Sequence, residues 1–520
     1  MTTTRADAAK LPRHADTIIV GGGSAGAVIA ARMAERADQS VLLLEAGPDY
    51  GPLDSGQWPD VLLDCGSMPI TEHSWNYVSA AKHGALGLTL ARARVIGGCS
   101  SHNGCAAVWG HRADYDGWAA AGNRGWSTNE LLPLFQTVNS KLSVHTPTRD
   151  QISPWHRACL DSAITAGLPF AAELNDFDFE HGITIGPLNA INGVRRSTAF
   201  GYLDPVRASK HLTIVGDALV DRVVVKSGRV VGVDVVTTAG ISRVAAGRVV
   251  LAGGAYGSPL LLLRSGIGQP DQLSAHGVPV IHPLPGVGKN LQDHPSIGIV
   301  MEGTPGLARA MDEFAASHVP FREEGTIVNA KSSLCKSAFD LHLYPWSHRA
   351  SCPSLGSKTV ENDHWVYAIF VALMETRSIG EIRLSSRDPE AQPIIDHAYF
   401  TDPENHDLEA IIDGFLLARY MAAAKPLAKL AGAELEPGPR TTSRADLRAW
   451  VTKHSGHDYH PVGTCKMGPA SDPAAVVDHR GVVHGLDQLY IADASIMPVV
   501  PRANTNIPAV VVGEKIASLL

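Results

Sequence analysis

The stretch "DTIIVGGGSAGAVIAARMAERADQSVLLLEAG", residues Asp16–Gly47, decides the fold. Its "TIIV" is short, apolar and β-branched, which is typical of a buried parallel strand. The residues up to about Arg36 have the alanine-rich spacing of a helix, and "SVLLLEAG" predicts a second buried strand that ends at Glu45. A strand, a glycine-rich turn, a helix and a second strand in this order predict a Rossmann-type α/β unit.

The turn between the first strand and the helix fits the pattern G-x-G-x-x-G. Gly21 makes the tight turn, Gly23 lets a pyrophosphate approach the backbone, and Gly26 lets the helix pack against the strand. The helix N-terminus offers N–H groups to phosphates, and a carboxylate after the second strand accepts hydrogen bonds from a ribose. A glycine-rich turn without a ligand is the alternative, and the pattern alone does not separate FAD from NAD. The predicted dinucleotide-binding residues are Gly21, Gly23, Ser24, Ala25, Gly26 and Glu45.

Composition and charge argue against several other classes of protein. A chain of 520 residues with 45% hydrophobic and 18% charged residues is ordinary globular material with room for two or three domains. A net charge of −8 gives no basic surface for nucleic acid. Because no long apolar run occurs and the N-terminus is polar, we expect neither a membrane span nor a signal peptide. The seven cysteines include no C-x2-C pair, so we expect no metal site and a reduced, cytoplasmic protein.

The rest of the chain alternates between two kinds of segment. Residues 212–259 return to strands separated by glycine turns, and "RVVLAGGAYGSP" predicts a second close approach to the nucleotide. "FDLHLYPW", "VYAIFVALME" and "GEIRLSS" are typical of sheet strands, and residues 405–430 predict an amphipathic helix with Pro426 near its end. The C-terminus again gives a strand, a turn and a long helix. We therefore predict a discontinuous nucleotide-binding domain of residues 1–150, 195–295 and 455–520, and a substrate-binding domain of residues 151–194 and 296–454.

Six motifs, in order across the chain, resemble the glucose–methanol–choline (GMC) oxidoreductases. They are "VGGGSAGAVIAARMAE", "GGCSSHNG", "LAGGAYGSPLLLLRSGIG", "PGVGKNLQDHP", "YHPVGTCKMG" and "IADASIMPVVPRANTNIPAVVVGEKIA". The resemblance implies that the dinucleotide is FAD. It implies an α/β FAD-binding Rossmann-type domain and an α+β substrate domain with a mostly antiparallel sheet. It also implies oxidation of an alcohol to a carbonyl compound by hydride transfer to flavin N5, and the choline oxidase-like members are the most similar.

The resemblance assigns the acid–base chemistry to His460 and Asn504. Alcohol oxidation needs a group that takes the hydroxyl proton, and imidazole suits this task near neutral pH. His460 in "HDYHPVGTC" matches the family's catalytic histidine, and Asn504 in "RANTNIP" matches the partner position, which can donate to a forming alkoxide. The alternatives are a histidine of the core or surface and an asparagine of a proline-flanked turn.

The glycine-rich stretch "GGCSSHNGCAAVWG", Gly97–Gly110, resembles the loop that contacts the flavin ring. His102 matches the histidine that some members bond covalently to the flavin 8α-methyl carbon, and neutral imidazole is a competent nucleophile. We therefore expect covalent FAD through His102, with a non-covalent neighbour as the alternative. For Trp75, core packing is the competing explanation. The cofactor-binding residues that the resemblance adds are Trp75, Val95, Gly98, His102, Asn103, Gly104, Val220, Asp493, Ala494 and Thr505.

Substrate choice is predicted from positions that depart from the choline oxidase-like members. Ser296 replaces a glutamate that helps hold a trimethylammonium group, Cys65 replaces an aromatic residue, and Gly104 replaces a serine. Because a quaternary ammonium prefers aromatic faces and a carboxylate, we expect a polar hydroxylated substrate, such as a sugar, a glycoside or an amino-sugar alcohol, rather than choline. Asp458 either points into the pocket, to bind a polyol or an amine, or caps a turn. The predicted substrate-binding residues are Ser296, Tyr344, Asp458 and Tyr459, with His342 and Trp346 as further candidates.

Three classes of function remain open at this point. The leading class is an oxidase that passes electrons to O2 and gives hydrogen peroxide, with a dehydrogenase using another acceptor beside it. A lyase that keeps the scaffold and FAD without net redox chemistry is the second class. The third is a non-catalytic flavoprotein, against which His460 and Asn504 argue. The expected partners are a small alcohol and O2 or another acceptor, and the protein is expected to form a homodimer.

Overall fold

The Asp16–Gly47 segment forms the centre of a seven-stranded mixed sheet in the computed structural model of the chain. The structure describes residues 4–36, 38–68, 71–80, 87–317, 319–349 and 364–520. The strand that contains "TIIV" runs parallel to its neighbours on both sides, so their carboxyl ends share one edge with the glycine turns. In spatial order, the strands are Leu212–Val215, Val41–Leu44, His14–Val20, Gly240–Leu251, Arg229–Thr237 and Leu219–Lys226, and Leu489–Ile491 also pairs with Gly240–Leu251.

A second sheet, also of seven strands, is antiparallel throughout. This confirms the predicted combination of a Rossmann-type unit with a mostly antiparallel sheet. "FDLHLYPW" and "VYAIFVALME" lie on adjacent strands at its centre. In spatial order, the strands are Ala431–Glu436, Pro295–Gly303, Trp365–Leu373, Leu341–Arg349, Thr326–Ala330 and Gly182–Ile185, and Gly456–His457 also pairs with Pro295–Gly303.

Four two-stranded ribbons complete the β-structure of the described residues. "GEIRLSS" does form a strand, but it belongs to a ribbon rather than to the large antiparallel sheet. The ribbons pair Ile267–Gly268 with His282–Pro283, Glu381–Arg383 with Ile394–Asp396, Tyr77–Val78 with Thr89–Leu90, and Ala190–Ile191 with Val194–Arg195.

The helices follow the sequence prediction at the ends of the chain and differ from it near Pro426. The helix predicted over residues 405–430 is split, because Pro426 has no N–H to continue the hydrogen-bond ladder. Within the described ranges, no helix is long and apolar enough to cross a membrane. The α-helices are Gly26–Arg36, Asp60–Leu63, Arg112–Ala120, Thr128–Lys141, Pro154–Thr165, Gly254–Arg264, Pro270–Ala275, Pro305–Ala315, His406–Ala423, Leu427–Leu430, Arg444–His454 and Asn506–Leu519; shorter 3-10 or π turns are Ala8–Lys10, Leu53–Ser55, Gly98–Ser101, Arg149–Gln151, Ala199–Leu203, Asp204–Val206 and Ala494–Ile496.

Two large hydrophobic clusters accompany the two sheets. The first contains the mixed sheet with both terminal helices, and the second contains the antiparallel sheet with the helix His406–Ala423. Ile382 and Ile395 of one ribbon pack in the first cluster, although they lie between segments of the second in sequence. The predicted domain boundaries stay a prediction. The six described cysteines are free thiols, and Cys352 lies outside the described residues.

Candidate active site

A long cavity runs from the carboxyl edge of the mixed sheet to the face of the antiparallel sheet. Both glycine turns line one end of it, and a histidine, an asparagine and two carboxylates line the other. Segments that are far apart in the sequence, each with one of the quoted motifs, therefore line the same cavity. Of the residues predicted from the sequence, those that line the cavity are Gly21, Gly23, Ser24, Ala25, Glu45, Trp75, Gly98, His102, Asn103, Gly104, Val220, Ser296, Trp346, Asp458, Tyr459, His460, Asp493, Ala494, Asn504 and Thr505.

The first glycine turn is fastened to the end of the second strand by Glu45. The backbone N–H of Gly22 donates to its Oε2 at 2.8 Å, and that of Gly47 donates to its Oε1 at 2.9 Å. Burial raises the pKa of Glu45 to about 7, although these N–H groups lower it. The carboxyl group therefore fixes the turn and still faces the cavity with its remaining lone pairs.

Two glycines from different loops face each other across the cavity floor. A Cβ on Gly98 would lie 2.6 Å from Cα of Gly23, which is closer than real side chains approach. A Cβ on Gly21 would lie 2.4 Å from the carbonyl oxygen of Ala252 in the second glycine turn. These positions keep the floor free of side chains, so a flat or charged ligand can reach the backbone.

Asp493 holds the second glycine turn in place. Its Oδ2 accepts hydrogen bonds from the Gly254 N–H at 2.9 Å and the Ser258 hydroxyl at 2.6 Å, and its Oδ1 accepts from the Ser495 N–H at 2.7 Å. The side chain was predicted as a cofactor contact. It lines the cavity while most of its hydrogen-bonding capacity serves the loop.

His102 is a buried imidazole with one unused nitrogen. The residue is 6% exposed, lines the cavity, and has no described partner for Nε2. Burial lowers its pKa to about 3, and the nearby charges of Arg92 and Arg195 add to the effect. Its imidazole is therefore neutral at physiological pH. Trp75 lines the same region, with its ring stacked on Tyr77 at 5.8 Å.

His460 and Asn504, 44 residues apart in the chain, meet in the cavity. Nδ2 of Asn504 lies 3.3 Å from Nε2 of His460. Because the amide nitrogen can only donate, Nε2 acts as the acceptor and the ring proton of neutral His460 sits on Nδ1. The Oδ1 atom of Asn504 is buried without a described partner. The pair therefore offers a proton acceptor and an amide at one place in the wall.

The opposite side of the His460 ring meets His294 and Asp458. Its Nδ1 lies 3.0 Å from Nδ1 of His294 and 3.3 Å from Oδ2 of Asp458. The three donor groups are close enough for a metal ion to be considered. Two nitrogens on one tetrahedral ion lie about 3.3 Å apart, so the shorter contact between the imidazoles is assigned to a hydrogen bond.

Buried polar groups fix the position and charge of His460. Its backbone N–H donates to Oδ1 of Asp293 at 2.8 Å, and Tyr459 before it has a φ of +61°, a left-handed conformation rare for a tyrosine. The Arg92 guanidinium donates to the Tyr459 carbonyl at 2.9 Å. Burial lowers the pKa of His460 well below 6.5, and His294 and Arg92 lower it further. The ring is therefore held as a neutral base.

Five residues singled out from the sequence lie behind the cavity wall. A Cβ on Gly26 would meet the Gly21 carbonyl oxygen at 1.9 Å, so this glycine serves the predicted helix packing. Val95 is fully buried beneath the loop. Tyr344 adjoins Asp458 and accepts or donates a 2.8 Å hydrogen bond with His342, which also lies off the wall. Cys65 packs in a small cluster with Cys105.

Several wall residues were not assigned a role from the sequence. Glu324 precedes the strand Thr326–Ala330, and Phe370 and Met68 line the same end of the cavity. The sequence around Glu324, "FREEGTIV", contains no motif that indicates a functional role for this residue. His294 belongs to the quoted motif "PGVGKNLQDHP", so a histidine within a family motif was the available signal for it.

The residues present fit an FAD molecule. The facing glycines leave a backbone-lined floor beside the helix Gly26–Arg36, which suits a pyrophosphate. His102 and Asn504 each leave a buried polar atom unpartnered on the wall, as expected where a polar ligand completes the hydrogen bonds. Glu45 lies one strand away from the turn, at the position where a ribose is bound in such folds.

Comparison with known proteins identifies the family of the chain. Two family models, both described as GMC oxidoreductase, match residues 15–296 and 376–513. The chain is 34% identical to a choline oxidase of Arthrobacter globiformis, over 98% of this chain and 94% of that protein. It is 33% identical to the mitochondrial choline dehydrogenase of Homo sapiens, over 97% of this chain and 89% of that protein.

Solved structures of similar architecture cover nearly the whole chain. A pyridoxine 4-oxidase from Mesorbium loti is 29% identical, with a TM-score of 0.85 over 97% of this chain and 98% of that one. A formate oxidase of Aspergillus oryzae, 22% identical, has a TM-score of 0.84 over 100% of this chain and 98% of that one, and supports the fold. The chain belongs to the GMC oxidoreductase family, and it is an FAD-dependent enzyme that acts on the CH–OH group of alcohols.

Proposed function

We propose that this enzyme oxidises a polar hydroxylated compound to the carbonyl compound, with His460 as the acid–base group, and delivers the electrons to O2. The observation that carries the proposal is the Asn504–His460 pair on the cavity wall, 3.3 Å apart. FAD, when bound, supplies the two-electron acceptor that takes the hydride from the substrate carbon.

His460 takes the hydroxyl proton at Nε2. Two features support this role: the lowered pKa keeps the imidazole neutral, and the contact with the Asn504 amide places the unprotonated nitrogen at Nε2, where the substrate hydroxyl would replace that amide as the donor. As the proton arrives, the imidazolium keeps its Nδ1 hydrogen bond with His294, 3.0 Å away. Asn504 can donate to the substrate oxygen as negative charge develops there.

The cavity residues divide the work of binding FAD. Gly21, Gly23 and Gly98 form the floor that admits the pyrophosphate to the backbone, and Glu45 faces the ribose. Further wall residues come from every predicted segment of the cofactor site. These are Ser24, Ala25, Trp75, Asn103, Gly104, Val220, Asp493, Ala494 and Thr505.

Anaerobic flavin reduction tests the proposed reaction. A panel of polyols, glycosides and choline is mixed with oxidised enzyme, and loss of the flavin absorbance reports hydride transfer. His460→Ala is expected to keep FAD, and its rate of flavin reduction is expected to fall about 10²- to 10⁴-fold. Wild-type rates in His460→Ala would contradict the role. If no alcohol bleaches the flavin, a lyase without net redox chemistry replaces the oxidation.

O2 is proposed as the electron acceptor, with a dehydrogenase using another carrier as the alternative. The relatives include both a choline oxidase and choline dehydrogenases. One hydrogen peroxide for each carbonyl formed supports the oxidase. Flavin that stays reduced in air but is reoxidised by a quinone supports the dehydrogenase.

We propose that His102 bonds covalently to FAD. The unpartnered Nε2, the lining position and the neutral ring support it as the nucleophile. Bond formation removes one hydrogen from the imidazole and one from the 8α-methyl group, and O2 takes the two electrons and two protons as hydrogen peroxide. In acid-precipitated protein the yellow colour stays in the pellet, whereas His102→Asn releases it. A colourless wild-type pellet would refute the bond.

Two proposals concern the protein as a whole. We place it in the cytoplasm, and the free thiols of the six described cysteines are compatible with a reducing compartment. We also propose a homodimer. Light scattering of the holoenzyme at several concentrations tests the second statement, and a constant mass of one chain would contradict it.

A further inference from the structure

We infer that the substrate carries a protonated amine with N–H donors, and that Glu324 and Asp458 bind it at the end of the cavity beside His460. This inference rests on the proposed alcohol oxidation and narrows its substrate to amine-bearing alcohols, such as amino sugars. It commits to residues that the family resemblance did not assign to substrate charge.

Glu324 brings one carboxylate to this end of the cavity. The residue forms an antiparallel bridge with Trp346 just before the strand Thr326–Ala330 and lines the wall. Its Oε2 lies 4.0 Å from where a Cβ on Gly104 would be, so the carboxylate adjoins the loop that carries His102. No residue within the described ranges donates a hydrogen bond to it. Its oxygens are therefore available to a ligand.

Asp458 brings the second carboxylate from the other side. Its backbone N–H donates to the His294 carbonyl at 2.9 Å, which holds the residue beside the base. The buried Oδ2 has no hydrogen bond of good geometry and lies 3.3 Å from the Nδ1 of His460. An ammonium group at this carboxylate is thus close to the imidazole ring of His460, on the Nδ1 side of the ring that takes the hydroxyl proton at Nε2.

Both carboxyl groups are held in environments that disfavour their ionised forms. Burial raises the pKa of Asp458 well above 3.8, and Glu324 and Asp293 raise it further. Burial raises the pKa of Glu324 to about 7, with Glu323 adding and Arg322 opposing. Burial and the repulsion from neighbouring acids both disfavour the ionised form of a carboxyl group. A bound cation offsets the desolvation and the repulsion, so these acids are favourable partners for a cation.

Charges already present do not neutralise this end of the cavity. Of the four nearby acids, Glu323 accepts from the Trp346 indole at 3.1 Å and pairs with His348. Arg92 donates to the Ala91 and Tyr459 carbonyls, and Arg322 opposes Glu324. Within the described residues, neither guanidinium group donates a hydrogen bond to Glu324 or Asp458.

An aromatic wall lies beside the carboxylates. Trp346 and Phe370 both line the cavity, with ring centroids 5.9 Å apart and planes at 75°. An indole face attracts a cation, which adds to the carboxylates. A trimethylammonium group has no N–H to donate to carboxylate oxygens, so this arrangement favours a primary or secondary amine over choline.

The test compares matched ligands on the FAD-loaded enzyme. Dissociation constants for methyl glucosaminide and methyl glucoside, and for 3-amino-1-propanol and 1,3-propanediol, are measured by calorimetry at pH 8. We expect at least one amine to bind about ten- to a hundredfold more tightly than its neutral partner. Glu324→Gln should remove about tenfold of that preference. Glu302→Gln, which removes an exposed charge from the strand Pro295–Gly303, should leave it unchanged.

The outcomes separate this inference from the proposed reaction. Equal affinities for both members of every pair, or an unchanged preference in Glu324→Gln, overturn the amine site even if neutral alcohols bleach the flavin. Tight amine binding without bleaching by any alcohol leaves the amine site standing and overturns the oxidation. If Glu324→Gln does not load FAD, Asp458→Asn carries the same comparison of affinities, and an unchanged preference there overturns the site.

Discussion

Gly98→Ala tests whether the facing glycines build the cofactor floor. Gly98 has a φ of +53°, where an L-residue costs about 1–2 kcal/mol. Its new Cβ would also lie 2.6 Å from Cα of Gly23, so a backbone has to move. Overpacking of this kind adds about 1–3 kcal/mol. We therefore expect the variant to lose about 2–5 kcal/mol of unfolding free energy and much of its FAD.

Gly56→Ala is the matched control. Gly56 has a φ of +68°, but a Cβ there meets nothing within 4 Å. This variant therefore has the backbone strain without the contact, and its loss should stay at about 1–2 kcal/mol with full FAD content. The difference between the two variants isolates the contact between Gly98 and Gly23.

Urea unfolding and the flavin-to-protein absorbance ratio of purified protein give the two readouts. We expect Gly98→Ala to unfold at lower urea than Gly56→Ala and to carry less flavin. If the two variants unfold together and hold equal FAD, the loop moves away at no cost. The close approach of Gly98 to Gly23 is then not what keeps the cavity floor free of side chains. The proposed binding of the pyrophosphate against this backbone would be wrong.

Three further predictions address charged groups that are buried or partly buried. Burial raises the pKa of Asp458 well above 3.8, so this acid is uncharged in the range where His460, with its lowered pKa, titrates. Asp458→Asn should therefore leave the acidic limb of the flavin reduction rate in place in stopped-flow measurements; a limb that moves to lower pH would contradict this. The pKa of Glu324 is raised to about 7, and only its ionised form pairs with an ammonium. Amine affinity should therefore rise up to about tenfold per pH unit below 7 and level off above it, and calorimetry of Glu324→Gln should show a flatter profile. Arg502→Met leaves Asp114, 7% exposed, without its partner, which should cost about 3–5 kcal/mol in urea unfolding; a loss below 1 kcal/mol would count against it.

Local patterns were enough to predict the nucleotide-binding unit. The strand His14–Val20, the glycine turn and the helix Gly26–Arg36 are contiguous, so periodicity and turn chemistry specify them without tertiary information. The helix over residues 405–430 shows the limit of such patterns. Its apolar spacing continues past Pro426, but the missing N–H breaks the ladder there and Leu427–Leu430 forms a separate turn.

The candidate site was predictable where a motif carries the residue and not where packing does. His460 and Asn504 followed from family spacing, and the structure brings them within 3.3 Å. His294 contacts the same imidazole from 166 positions away, through a hydrogen bond that no local pattern encodes. Glu324 is a comparable case, because an acidic pair before a strand is ordinarily a solvated surface.

A comparison of single sequence positions with the choline oxidase-like members and the geometry of the cavity lead to different expectations for the charge of the substrate. The family resemblance predicts that Ser296, on the strand Pro295–Gly303, stands where choline oxidase-like members have a glutamate, which by itself favours a neutral substrate. Glu324 restores a carboxylate near the far side of the same sheet, and the strands between them contribute Phe370 and Trp346 to the wall. The proposed amine site therefore places the negative charge across the sheet from Ser296. A carboxylate at Glu324 instead of residue 296 changes where a cation would lie relative to His460. The serine at residue 296 is therefore better explained by an amine bound in a different place from that of choline than by a site that no longer binds a cation.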